Sequence, residues 1–184
     1  MPKNEDSDEK KQPCRRNVQC VEPGTDLPVP SDAQENSSEA IRNFAKRLYD
    51  VMKQIELFFN KTCKKWGMSA TALKMLESLL EHPNGIEPAC LADDVGIQRQ
   101  LVTIIVNDFE KRGLVLRKEN KKDRRRKLLK LTKKGQLFAR EVTDYYTEID
   151  FHAMSVFSKE EMEQVLDFHC QYYDRLQKMD EYWK

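Results

Sequence analysis

The sequence predicts a mainly α-helical protein with one small β-hairpin, arranged as a winged helix-turn-helix flanked by long helices. Three observations predict it. Apolar residues recur at three- and four-residue steps over most of the chain. Two short apolar runs bracket a strongly basic tip. Glycines fall where helices should end rather than inside them. The 184 residues are enough to build a core, and 34% charged against 39% hydrophobic residues suits helices with narrow apolar stripes better than a β-sandwich.

Residues 1–38 hold five of the seven prolines and few large apolar groups, so they bury too little to offset the entropy of ordering and read as an acidic, proline-containing disordered tail. A long helix follows over 39–66. Ile41, Phe44, Leu48, Val51, Ile55 and Phe58 form one stripe along it, a seam that calls for a partner helix, and Gly67 ends it.

Residues 67–135 read as the winged unit. Ser69 is the N-cap of a helix carrying Leu73, Leu76, Leu79 and Leu80, with Met68 and Leu73 as a hydrophobic staple. That helix stops at His82-Pro83-Asn84-Gly85. Pro88 suits the first turn of a short helix through Asp94. After Gly96 another helix runs from about Gln98 to Arg112, closed by Gly113. Leu114–Arg117 and Lys127–Leu131 are the hairpin strands. Residues 136–184 form two long helices. Thr132 caps the first, with apolar positions Leu137, Phe138, Val142, Tyr145 and Ile149. Ser158 and Glu161 make a capping box for the second, whose seam runs from Met162 to Trp183.

Charge is unevenly placed. Net charge is +1, yet the segment from Arg117 to Lys134 holds eleven basic residues against Glu119 and Asp123, so the remainder carries about eight net negative charges. A concentrated basic patch on an acidic body is a footprint for phosphate, although a solvated loop would account for the run alone. In Leu91–Thr103, the residues Leu91, Ala92, Val95 and Ile97 pack a short helix against the next, with Gly96 at the turn. Val102, Ile105, Val106 and Phe109 form the inward face of the second helix. Gln98, Arg99, Gln100 and Thr103 are left outside near its N-terminus, where Arg suits guanine and Gln suits adenine. An ordinary polar helix face would look the same. The neighbouring basic hairpin favours the double-stranded-DNA reading, with Lys118, Lys121, Lys122 and Lys127 on phosphates.

From Ser69 to Gly135 the sequence resembles the MarR family of multiple-antibiotic-resistance-type regulators. The resemblance is carried by Leu91-Ala92, Gln100–Thr103, Phe109–Val115, and Asp123-Arg124-Arg125 followed by Leu131-Thr132-Lys133-Lys134-Gly135. It implies a homodimer whose terminal helices interlock and whose two recognition helices enter successive major grooves. It assigns the wing arginine to Arg125, assisted by Arg124, and the wing-positioning carboxylate to Asp123. Three positions depart from the family pattern: Ile104 where a basic residue is common, Leu101 where Thr is frequent, and Asn107 where an Asp commonly pairs with the wing arginine.

The resemblance also implies a signal that releases DNA, a small aromatic effector or thiol oxidation. Phe58, Phe59, Trp66 and Tyr145 are the candidate ligand lining, although the same spacings suit core packing. Cys63 is the candidate redox residue because Lys61, Lys64 and Lys65 stand near it, but the peroxide-sensing branch carries its cysteine near the start of the first helix. The five cysteines are odd in number and lack C-x-x-C spacing, so they read as reduced thiols, with Cys90 and Cys170 as packing residues. No His, Cys or carboxylate set has metal spacing, no cofactor is indicated, and no catalytic motif is present. The expectation is a cytoplasmic regulator that acts as a repressor, and not an enzyme. The alternatives are a winged-helix protein–protein interaction module and a thiol-based redox-sensing regulator.

Overall fold

The structure is a computed structural model that describes residues 38–119 and 126–182; the side chains of 180–182 are not described. The expected tail up to residue 37, the hairpin tip at 120–125 and Trp183 lie outside the described residues. The elements are α1 (Ser38–Cys63), a 3-10 turn (Lys64–Trp66), α2 (Ala70–Glu81), α3 (Pro88–Val95), α4 (Arg99–Lys111), β1 (Val115–Glu119), β2 (Lys127–Leu131), α5 (Lys133–Met154) and α6 (Lys159–Tyr182). The mainly helical fold with a two-stranded hairpin is the one expected.

Local chemistry sets the boundaries. Gly67 ends the 3-10 turn in the left-handed region at φ 65, where a side chain would be strained. The Ala72 amide donates to Ser69 Oγ at 3.1 Å, so Ser69 is the N-cap of α2. Pro88 opens α3, where its missing N–H has no partner to lose. The capping box is reciprocal: the Glu161 amide donates to Ser158 Oγ at 3.1 Å and the Ser158 amide to Glu161 Oε2 at 2.8 Å.

Two compact units divide the chain, one containing Lys74–Arg140 and the other the described parts of Asn17–Leu73 and Glu141–Lys184. The first has an apolar core of Met75, Leu76, Leu91, Val106, Phe109 and Leu129, all buried, each contributing about 1.5–3 kcal/mol by leaving water. Buried Ser78 donates to Asp94, fastening α2 to α3. The strands pair antiparallel from Val115↔Leu131 to Glu119↔Lys127. Ile86 adds a bridge to Leu129, its amide donating to the Leu129 carbonyl at 3.0 Å and its carbonyl accepting from the Leu129 amide at 2.8 Å. A single bridging residue has no periodicity, and the sequence reading missed it.

In the second unit the α1 stripe remains open to solvent. Ile41, Phe44, Val51, Ile55 and Phe58 are 45–57% exposed, and only Cys63 of α1 is buried. Phe44 meets Phe168 of α6 edge-on at 5.8 Å. A groove of about 810 Å³ at the α5–α6 junction is lined by Met154, Phe157, Met162, Val165 and Phe168. Among the described residues, no helix is long and apolar enough to cross a membrane.

Candidate nucleic-acid interface

The site is built on α3, α4 and the hairpin. Gly96 turns the chain at φ 72, and the Ile97 amide donates to the Ala92 carbonyl at 2.9 Å, closing α3 two residues before Gln98 becomes the N-cap of α4. Val102, Ile105, Val106 and Phe109 are buried and fix the rotation of α4 about its axis. That rotation leaves Gln98, Arg99, Gln100 and Thr103 exposed, the arrangement expected from sequence. No side chain caps the helix start at Gln98. Thr103 Oγ1 donates back to the Arg99 carbonyl at 3.2 Å, which holds its hydroxyl close to the helix. An exposed helix start also presents backbone N–H groups and the positive end of the helix dipole, both suited to phosphate.

The hairpin is tied to this helix by a residue that sequence reading placed in the first strand and the basic run without a partner. Arg117 on β1 donates through Nη2 to Asn107 Oδ1 at 2.8 Å and pairs through Nη1 with Glu110 Oε2 at 2.9 Å. Asn107 is one of the departures from the family pattern, and here its amide oxygen receives a strand arginine. Arg126, just before β2, pairs with Glu87 at 3.2 Å, anchoring the other strand at the start of α3. Lys118 and Lys127 are exposed on the strands. Lys121, Lys122, Asp123, Arg124 and Arg125 lie outside the described residues.

The segment Leu131–Gly135 locks the base of the hairpin. Thr132 Oγ1 receives the Gly135 amide at 2.9 Å and donates to the Gly113 carbonyl at 2.8 Å. Lys134 Nζ donates to the Arg112 carbonyl at 2.8 Å, capping the C-terminus of α4. Gly135 lies so close to β1 that a Cβ there would fall 1.9 Å from the Leu114 carbonyl oxygen. These residues therefore set the angle between α4 and the hairpin.

The candidate effector residues all fall in the other unit and join into one aromatic cluster. Phe58 meets Phe59 at 5.5 Å, Phe59 meets Tyr146 at 5.6 Å, Tyr146 meets Tyr145 at 5.2 Å, and Tyr145 meets Trp66 at 5.9 Å. Lys65 Nζ lies 2.9 Å above the Tyr145 ring. Sequence reading missed Tyr146, the member that joins the others. Its hydroxyl lies 3.2 Å from Cys63 Sγ and 3.1 Å from Thr62 Oγ1. Burial, reinforced by the contact with Cys63, pushes its pKa up to about 12, so it stays a neutral phenol at physiological pH.

Two cysteine readings are corrected. Cys63 is fully buried against the Tyr146 hydroxyl, while Lys61, Lys64 and Lys65 are exposed. An accessible thiolate is what redox sensing requires, and this is instead a packing thiol. Cys90 on α3 is disulfide-bonded rather than a reduced packing thiol. Among the described residues, no group of three or more His, Cys, Asp or Glu could hold a metal ion.

The model of the family described as "MarR family" matches residues 68–127. The chain is 34% identical over 125 residues to the transcriptional repressor MprA of Escherichia coli (strain K12), spanning 66% of this chain and 70% of that protein. It is 30% identical over 112 residues to the HTH-type transcriptional regulator MhqR of Bacillus subtilis (strain 168), spanning 60% of this chain and 76% of that one. In fold it is similar to Streptococcus pneumoniae FabT, solved in complex with DNA, with a TM-score of 0.64 at 18% identity over 76% of this chain and 99% of that one.

Proposed function

Because this chain belongs to the MarR family of transcription regulators, we propose that it is a cytoplasmic, sequence-specific double-stranded-DNA-binding repressor that acts as a homodimer on pseudo-palindromic operators. The observation that carries this reading is the outward row Gln98, Arg99, Gln100 and Thr103 on a helix whose opposite face is buried, with a basic hairpin anchored beside it by Arg117. Each α4 enters a major groove with its N-terminal end toward the bases, Arg99 reading guanine and Gln98 and Gln100 reading adenine. Thr103 contacts a base edge or phosphate beside them. Arg125, assisted by Arg124, enters the adjoining minor groove, where narrow width concentrates negative potential. Lys121, Lys122 and Lys127 neutralise phosphates, and Asp123 holds the wing in shape by pairing with a neighbouring cation.

Homodimerisation is supported by the largely exposed apolar seam of α1 and the groove at the α5–α6 junction, which a second copy would cover. In the division of the chain we read 39–66 and 136–184 as the dimerisation helices and 67–135 as the DNA-binding domain. Release from DNA is assigned to a small aromatic acid. Phe58 and Tyr145 offer partly exposed ring faces beside Phe59 and Trp66, and the Lys65 ammonium offers a partner for the carboxylate.

Selection of bound duplexes from a random-sequence pool, followed by footprinting, tests the reading. The expected footprint covers two inverted half-sites about 34–36 Å apart. Protection of one half-site alone, or no enrichment in dilute salt, overturns it.

A further inference from the structure

Ile104 stands on the outward face of α4, 66% exposed, one turn beyond Gln100. Of its helical neighbours, Gln100, Asn107 and Asp108 are exposed and polar and Leu101, 38% exposed, is apolar, so Ile104 is the most exposed apolar side chain of α4 on a largely polar face. Neither core packing nor helix propensity accounts for it. The core is served by Val102, Ile105, Val106 and Phe109, and a Lys or Gln would suit the helix at least as well.

We propose that Ile104 is a specificity-determining residue that reads the 5-methyl group of a thymine in each half-site. The inference rests on the docking of α4 proposed above. With α4 in a major groove, the side chain following Gln100 on the same face meets base edges. The one apolar group there is the thymine methyl; the other groups are hydrogen-bond donors and acceptors that Ile104 cannot satisfy. An isoleucine therefore favours thymine over cytosine at that step and leaves guanine or adenine recognition to its polar neighbours. A basic side chain at the same position would seek a guanine or a phosphate instead, so this residue shifts the preferred sequence rather than the general affinity for DNA.

Uracil provides the test, because it keeps the base-pairing edge and lacks only the methyl group. The duplex selected from the random pool is resynthesised with uracil in place of each thymine in turn, and affinities are measured for the full chain, Ile104→Val and Ile104→Ala. One buried methyl corresponds to about fourfold in affinity per half-site, hence about fifteenfold when both half-sites are changed. The parent and Ile104→Val should show this loss at one symmetric thymine, and Ile104→Ala should bind the thymine and uracil duplexes alike. Indifference of the parent to every uracil overturns the inference while leaving DNA binding intact. A uracil penalty that persists in Ile104→Ala assigns the methyl to another side chain and also overturns it. If the parent selects no duplex, the proposed function itself falls.

Discussion

Substitution of Gly135 by alanine should destabilise the protein, although the same change early in a helix ordinarily does the reverse. Gly135 is the third residue of α5 and has no left-handed torsion to protect. Alanine in such a place reduces the freedom of the unfolded chain and stabilises by about 0.4–1 kcal/mol. Here a Cβ would lie 1.9 Å from the Leu114 carbonyl oxygen, 2.8 Å from its carbonyl carbon and 3.1 Å from its Cα, all backbone atoms that cannot rotate away. The Leu114 carbonyl already accepts the Thr132 amide at 2.9 Å, so moving it strains the hairpin base. Overpacking of this kind costs about 1–3 kcal/mol, which exceeds the gain. The net loss is then up to about 2.6 kcal/mol, and at about 2–4 °C per kcal/mol for a chain of this size the melting temperature should fall by up to roughly 10 °C. Urea and thermal unfolding of Gly135→Ala beside Lys133→Ala, an exposed position two residues earlier, provides the assay. Operator affinity should fall with stability, because the displaced carbonyl belongs to the residue that leads into β1. A Gly135→Ala protein as stable as its parent would refute the close approach.

Three further outcomes are expected. Arg117→Ala should weaken operator binding several-fold by freeing β1 from Asn107 and Glu110. It should change unfolding by only about 0–1 kcal/mol, since the pair is partly solvated; fluorescence anisotropy with the selected duplex would show this, and unchanged affinity would contradict the role. Arg125→Ala should cost about 1–3 kcal/mol of operator binding, whereas Gln100→Ala should change which bases are preferred, a difference that parallel selections from random duplex would reveal. Tyr146→Phe should lose about 1 kcal/mol near neutral pH. Because burial raises the Tyr146 pKa from 10.0 to about 12, its contribution is complete below pH 10 and disappears as pH rises through 12. The stability difference between parent and Tyr146→Phe should therefore shrink over that interval, and a constant difference would contradict the buried phenol.

Element boundaries were legible where a short-range chemical device marks them. Ser69, Pro88, Thr132 and the Ser158–Glu161 pair act within three or four residues, and a sequence displays them directly. The face of α5 was less legible. Of the expected apolar positions Leu137, Phe138, Val142, Tyr145 and Ile149, Val142 is buried, yet Leu137 is 72% exposed and the other buried apolar residues are Ala139 and Tyr146. Small Ala139 and Gly135 hide the true stripe, and one residue of phase turns a helix by about 100°. That shift explains why Tyr145 was singled out and Tyr146 was not. Long-range ties were invisible for a different reason. Arg117 looked like one more cation in a basic run, and nothing local distinguishes an arginine bound to α4 from one reaching for phosphate. The exposed row of α4 was legible because four buried apolar positions define its opposite face, whereas the wing residues 121–125 rest on sequence alone.

The stoichiometry of the complex tests the central claim most directly. Sedimentation of the full chain with a labelled duplex selected from the random pool, across a series of salt concentrations, should give two chains per duplex. The logarithm of affinity should fall linearly and steeply with the logarithm of salt concentration as phosphate counterions are released. A single chain per duplex, or no complex even in dilute buffer, would contradict a dimer that presents two α4 helices and two basic hairpins to DNA.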